Sequence, residues 1–378
     1  MTRDRDGFSR RDFLRVTGVG AIVAGAATRA LAQVPDVPLP PLPGKKVGWA
    51  VVGLGNLAIN QILPAFAKTS RARLVAFVSG RPPKANHLAQ VYGVETRNIY
   101  TYEEYDKLAD NPAIDVVYVV LPNSMHAEYT IRALKAGKHV LSEKPMANTP
   151  GDCEQMIAAA KAARRKLMVG YRLRYEPFNQ ALIKMARDES EMGPTRVILA
   201  EAGFNIGDPK QWRLRRPMAG GGSLMDIGIY ALNAARYLSG EEPVEVNAMM
   251  HSTPGDPRFV EVEENINFQL RFPSGVLANC VSSYGAGLNR FRVFKPRGSF
   301  ELEPALSYSG LNMRVLRGGG VEERNQPVRD HFASEMDHFS ECVQNDTEPL
   351  TPGEEGLRDL RIMTAIYEAA REGRAVKL

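Results

Sequence analysis

The sequence predicts an α/β protein: an N-terminal Rossmann doubly wound parallel sheet, then a C-terminal α+β domain with a large open, mostly antiparallel sheet. Three observations carry this. An apolar strand run from Lys46 to Val52 opens directly onto the glycine turn Gly53-Leu54-Gly55 and a helical stretch. Strand and helix patterns then alternate as far as Tyr171. Beyond about Arg172 the pattern changes to short strand runs separated by turn residues. At 378 residues the chain has room for two such domains. The expected organisation is a leader over 1–32, an arm over 33–44, a Rossmann domain over 45–172 and a substrate and oligomerisation domain over 173–378.

The leader reads from Arg10-Arg11, in the run Ser9-Arg10-Arg11-Asp12-Phe13-Leu14. A paired arginine ahead of a short apolar stretch, here Val16 to Ala27, is the address of twin-arginine export, which moves folded proteins. That stretch is far shorter than the roughly 20 residues of a membrane span. Ala30-Leu31-Ala32 fits a cleavage site before Gln33. The expectation is therefore a signal peptide, recognition by the twin-arginine export machinery and a periplasmic location; an uncleaved tail with a chance Arg-Arg pair is the alternative. Gln33 to Gly44 is proline-rich and reads as extended. It is either a tether or a strap over a neighbouring subunit or the cleft.

Composition narrows the partners. The formal charge is +5, of which residues 1–32 supply +3 (six Arg against three Asp), leaving +2 for the rest. That balance gives no reason to expect nucleic acid or an anionic membrane surface. No later segment is apolar enough to span a bilayer. Cys153, Cys280 and Cys342 are scattered, odd in number and without metal spacing, so they read as buried thiols.

In chain order, Gly53-Leu54-Gly55-Asn56-Leu57-Ala58 is the G-x-G-x-x-A form of the dinucleotide fingerprint, with a strand before it and a helix after. The glycines permit the tight turn and close backbone approach to a pyrophosphate, and the helix N-terminus offers unpaired amides. Pro64 predicts a short or kinked helix. The second strand, Arg73 to Val78, ends at Ser79-Gly80-Arg81, with Lys84 close behind. An NAD site places Asp or Glu at this point; a hydroxyl with two cations favours a 2′-phosphate, and so NADP. The other reading of Arg81 and Lys84 is solvated loop charge. Further strands, Asp115 to Leu121, His139 to Ser142 and Leu167 to Tyr171, carry Leu121-Pro122-Asn123 and Glu143-Lys144-Pro145 to the carboxyl edge where such sheets bind ligands. Thr195 to Ala200, Val244 to Met250, Asn265 to Phe272 and Val276 to Ser283 read as antiparallel strands, and Glu354 to Glu372 as a closing amphipathic helix.

Gly220-Gly221-Gly222-Ser223 precedes a helical run ending near Gly240. Ser223 is an expected N-cap and Asp226 lies three residues on, which is capping-box spacing. Tyr230 follows four residues later on the same helix face. The pair reads equally as catalytic or as cap and core tyrosine. His126 reads as an ordinary helix-start histidine.

Gly53-Leu54-Gly55, Ala136-Gly137-Lys138-His139-Val140, Glu143-Lys144-Pro145 and the segment Gly220 to Tyr230 together resemble the glucose–fructose oxidoreductase and inositol dehydrogenase family, over essentially the whole chain after the leader. Pro122 to Glu128 and Gln211-Trp212-Arg213-Leu214-Arg215-Arg216 match the glucose–fructose branch, as does Tyr230 where many relatives carry His. The resemblance implies a tightly held NADP and a ping-pong exchange of hydride between sugars, glucose going to its lactone and fructose to sorbitol, in a homo-oligomer. It implies Lys144, Asp226 and Tyr230 as catalytic residues. Around the cofactor it implies Gly53, Leu54, Gly55, Asn56, Leu57, Ser79, Gly80, Arg81, Lys84, Tyr102, Leu121, Pro122, Asn123, Glu143, Lys144, Arg172, Trp212 and Arg213. A phenol with an ordinary pKa near 10 needs a cation to act as a base at neutral pH, and Lys144 is the expected one. An aldose–aldose oxidoreductase, a simple NADP-dependent sugar dehydrogenase and an exported sugar-binding protein are the other readings.

Overall fold

The computed structural model describes residues 45–378. The leader and the proline-rich arm lie outside the described residues. Two sheets organise the rest. The first has six parallel strands in the order β3-β2-β1-β4-β5-β6: β1 Val47–Val52, β2 Ala72–Val78, β3 Ile99–Tyr100, β4 Val116–Val119, β5 His139–Glu143 and β6 Leu167–Gly170. All of β1 and β4 is buried, which is why their sequences are continuous apolar runs without alternation. Strand order reverses between β1 and β4, and a crevice opens there at the carboxyl ends, above Gly53 and Leu121.

The helix after Gly53 is irregular, as Pro64 requires. A π-helical stretch, Ala58–Ile62, passes into a single α turn, Leu63–Ala65, and a 3₁₀ turn, Phe66–Lys68. The wider turn ahead of Pro64 absorbs the ring and its missing N–H donor.

The second sheet has nine strands in the order β14-β13-β12-β11-β7-β10-β9-β8-β15. These are β7 Val197–Gly203, β8 Glu245–His251, β9 Asn265–Arg271, β10 Leu277–Ser283, β11 Leu288–Lys295, β12 Gly298–Leu302, β13 Met313–Arg317, β14 Gly320–Arg324 and β15 Val376–Lys377. It departs from the expectation at one pair: β7 and β10 run parallel. Helices Pro177–Arg187, Ile229–Ser239 and Gly353–Glu372 cover one face. The other face carries Val197 and Leu199 on β7, Leu277 and Val281 on β10, Phe294 on β11 and Met249 on β8, in register; Met249 and Leu277 are exposed.

Helix His331–Asn345 returns to the first sheet, where Phe339 packs edge-on against Trp49 at 5.9 Å and Ser340 Oγ accepts from Trp49 Nε1 at 3.1 Å. The three cysteines are free and buried. Among the described residues no helix is long and apolar enough to cross a membrane.

Candidate active site

Two adjoining cavities lie over the crevice. The first, of about 600 Å³, holds the glycine turn and the end of β2. Gly53 has φ +90°, and a Cβ there would stand 2.3 Å from the Val120 carbonyl oxygen, so no other residue fits this turn. At Gly55 a Cβ would meet nothing within 4 Å: backbone is bare toward the cavity where the fingerprint requires a phosphate to approach. Ser79 Oγ accepts from the Arg81 amide at 3.1 Å and shapes the turn. Lys84 Nζ donates to the Leu54 carbonyl at 3.0 Å, so its charge sits over the glycine turn and is no free loop charge. The Tyr102 ring packs on Gly80, where a Cβ would come within 3.1 Å. Carboxylates on this cavity's wall are Glu143 and Asp226 alone among the described residues. Glu143 ends β5, three strands from Ser79 at the end of β2, roughly 14 Å at strand spacing. The adenosine end thus has cations and no carboxylate to repel a 2′-phosphate, and the residues present fit the phosphorylated dinucleotide.

Asn123 lines this cavity, but its Nδ2 donates to the Ala219 carbonyl at 2.9 Å. Its amide nitrogen is thus committed to tying the glycine-rich segment to the Rossmann edge. Leu121 and Pro122 line the wall beside it. Trp212 and Arg213, on a 3₁₀ turn that follows β7, close the far side, with the Arg213 guanidinium 4.6 Å over the indole.

The second cavity, of about 840 Å³, contains Lys144, Asp226 and Tyr230. Lys144 Nζ donates to the Asp226 main-chain carbonyl and lies 3.4 Å from Asp226 Oδ1 and 4.8 Å above the Tyr230 ring. Burial alone would lower Lys144, but Tyr230, Asp226 and Glu143 around it hold it above the ordinary lysine value. Burial likewise opposes the charge on Asp226, yet Arg213 Nε at 3.0 Å, Lys144 and the Tyr284 hydroxyl at 3.0 Å hold its pKa below the usual carboxylate value. It is a carboxylate wedged between two cations.

The capping-box reading of Asp226 is corrected. Ser223 is itself helical and its hydroxyl makes no cap; Glu263 replaces it, accepting from the amides of Gly222 at 2.9 Å and Leu224 at 3.0 Å. Asp226 falls in a π-helical turn, Leu224–Gly228, that feeds helix Ile229–Ser239, and its side chain is left for the cavity.

A second correction concerns the phenol's cation. Tyr230 Oη accepts from Arg172 Nε at 3.2 Å; Lys144 lies over the ring instead. Arg172, expected beside the cofactor, lines the second cavity and not the first. Its other nitrogens donate to His331 Nδ1 at 2.9 Å and to the Leu306 carbonyl. Burial, with Arg172 adjacent, pushes His331 down to about 4, so the neutral ring accepts. Tyr308 packs on the outer face of the same guanidinium at 4.6 Å and rims the cavity. Sequence reasoning did not find Tyr284, Glu263, His331 or Tyr308: they come from three separate loops and the start of a helix and share no spacing with the motifs. His126 lies outside both cavity walls, each ring nitrogen against a main-chain oxygen, of Pro145 at 2.9 Å and Leu121 at 2.8 Å.

Residues 47–171 match an oxidoreductase family with an NAD-binding Rossmann fold, and residues 181–301 match the GFO/IDH/MocA C-terminal domain. The chain is 32% identical to a D-xylose 1-dehydrogenase [NADP(+)] of Haloarcula marismortui, over 88% of this chain and 93% of that one. It is 27% identical to a 1,5-anhydro-D-fructose reductase of Ensifer adhaerens, over 87% and 98%. Among solved structures, an aldose–aldose oxidoreductase from Caulobacter crescentus, complexed with glycerol, superposes with a TM-score of 0.87 at 54% identity, over 88% of this chain and 100% of that one. A 3-ketoreductase from Actinomadura kijaniata, in complex with NADP and TDP-benzene, gives 0.77 at 25%, over 86% and 98%. With the bare glycine turn on one side of the seam and the Lys144–Asp226–Tyr230 group on the other, the chain belongs to the GFO/IDH/MocA family of oxidoreductases.

Proposed function

We propose that the protein is a sugar oxidoreductase with resident NADP, which oxidises an aldose at C1 to its lactone and passes the hydride to a second sugar. The observation that carries this is Tyr230: its phenol oxygen accepts from the buried Arg172 inside a cavity contiguous with the dinucleotide cleft. When bound, the nicotinamide supplies the hydride acceptor and, once reduced, the donor. Tyr230 takes the proton of the anomeric hydroxyl in the first half-reaction and returns it to the carbonyl oxygen of the second sugar. Arg172 fixes the phenol's orientation by donating to its oxygen. Lys144 holds a sugar hydroxyl by a charge-assisted hydrogen bond, and Asp226 orients Lys144 and Arg213. The 54% identity to an aldose–aldose oxidoreductase favours a second aldose as acceptor; fructose is the alternative that the sequence resemblance implies.

The test is the nicotinamide absorbance and fluorescence of protein purified without added cofactor. The aldose should reduce the bound nicotinamide stoichiometrically, and a second aldose should reoxidise it. Reoxidation by fructose alone would restore the glucose–fructose reading. A competent apo-protein that depends on free NADP would mark a simple dehydrogenase, and retention without any turnover an inert sugar-binding protein.

The Arg10-Arg11 leader would carry the folded, loaded protein to the periplasm, which processing before Gln33 and cell fractionation test. The apolar positions on the open face of the nine-stranded sheet support a homo-oligomer through that face; a monomer by sedimentation would refute it.

A further inference from the structure

The two cavities share Asn56, Leu57, Glu143, Gln211, Arg213 and Asp226, and these six residues define the seam between them. Three of them carry charge. Arg213 and Asp226 form an ion pair at 3.0 Å, with Lys144 on the same carboxylate at 3.4 Å. Glu143 has no cation within ion-pair distance; its Oε1 accepts from the Tyr118 hydroxyl at 2.7 Å. It is 7% exposed.

Helix His331–Asn345 brings a second acid to the same place. Glu335 is fully buried, and neither carboxyl oxygen has a hydrogen-bond partner. Burial and the neighbouring Glu143 push it well above the ordinary carboxyl value, with Arg172 and the Tyr118 hydroxyl opposing too weakly to reverse this. Two buried carboxyls in one cluster cannot both ionise. Burial raises Glu143 as well, but less than Glu335, because Glu143 accepts the Tyr118 hydroxyl's hydrogen bond and has Lys144 and Arg172 near it, so of the two it is the better placed for the charge. Glu335 keeps the proton.

We infer that Glu143 is the counter-charge for the nicotinamide ring, and that Glu335 is a neutral acid holding this cluster at a single negative charge. The inference rests on the proposed dinucleotide reading. A ring that exchanges hydride with a sugar held at Tyr230, while its pyrophosphate lies at Gly55, has to pass the seam. That ring is cationic only when oxidised, so an unpaired carboxylate at the seam favours the oxidised form. By linkage the reduced form becomes the better hydride donor, which serves the step that reduces the second sugar.

The experiment reads binding and not turnover. Purified holo-protein is equilibrated with free NADP+ and NADPH in a known ratio, and the bound ratio is measured after rapid gel filtration. Glu143→Gln should shift that partition toward NADPH by about tenfold or more, as expected for losing an opposite charge a few ångströms away. Glu143→Asp, which keeps the charge, should restore most of the preference. Glu335→Gln replaces a neutral acid with a neutral amide and should leave the ratio within about twofold of wild type. An unchanged ratio in a folded Glu143→Gln protein overturns the counter-charge. A shift in Glu335→Gln equal to that in Glu143→Gln overturns the single-charge assignment. If purified wild type carries neither cofactor form and, once stripped, takes up neither, the dinucleotide reading itself fails, and this inference with it.

Discussion

Replacing Tyr230 by Phe removes one oxygen from the centre of the site. The ring stays, so the contacts of Lys144 at 4.8 Å and Arg172 at 5.1 Å over its face persist. Arg172 Nε loses its acceptor, while the bonds to His331 Nδ1 and the Leu306 carbonyl remain. One hydrogen bond to a charged group is worth about 1.5–3 kcal/mol, so Tm should fall by roughly 3–12 °C at about 2–4 °C per kcal/mol. The fold should survive. General acid–base catalysis contributes about 10²–10⁴-fold, or about 3–5 kcal/mol of barrier. Lactone formation and reduction of the second sugar should both slow by that factor, because one proton carrier serves both directions. Bound NADP content should stay at the wild-type level, since Tyr230 lines only the sugar-side cavity. Single-turnover absorbance of the bound nicotinamide, with each sugar in turn, measures the two steps separately. Near wild-type rates in both would show that the phenol carries no proton. Slowing of one step alone would refute the shared-carrier mechanism.

Other outcomes follow from the same geometry. Ser79→Asp combined with Arg81→Ala and Lys84→Ala should weaken NADP retention, each charge-assisted bond lost being worth about 1.5–3 kcal/mol; cofactor content after gel filtration measures it, and unchanged content would place the 2′-phosphate elsewhere. Arg236→Ala removes a buried guanidinium from Asp359 and from Glu355 at 3.1 Å, so urea denaturation should show a loss of about 3–5 kcal/mol. Glu335 has a raised pKa in the folded protein, so its contribution to stability is complete below the unfolded value near pH 4.3 and is lost as pH rises toward the folded value. The Tm of Glu335→Gln should therefore fall less than that of wild type between pH 5 and pH 8, and parallel profiles would show that Glu335 is ionised in the fold.

Much of this was legible in local sequence. Lys46 to Val52 reads as a buried strand because both faces of a parallel sheet are covered, and Gly53 and Gly55 announce a turn that tolerates no Cβ contact or requires an open approach. The absence of a carboxylate at Ser79, and the spacing of Asp226 and Tyr230, are likewise one-dimensional signals. Strands β11 and β13 were not legible: their Arg-rich alternation, in Leu288–Lys295 and Met313–Arg317, becomes a sheet surface only once Arg292 and Arg314 meet Glu301 across strands. The parallel pairing of β7 with β10 depends on β8 and β9, which separate them in sequence, being laid down on the far side of β10, and no single segment states that. At the site, tertiary structure decided the electrostatics. Lys144 is near Tyr230 in both descriptions, but the hydrogen bond to the phenol comes from Arg172, 58 residues away. Glu263, 41 residues beyond Gly222, caps the turn assigned to Ser223. Conformation and strand periodicity are properties of neighbouring residues, whereas a buried charge is satisfied by whatever group the folded chain brings within about 3 Å of it.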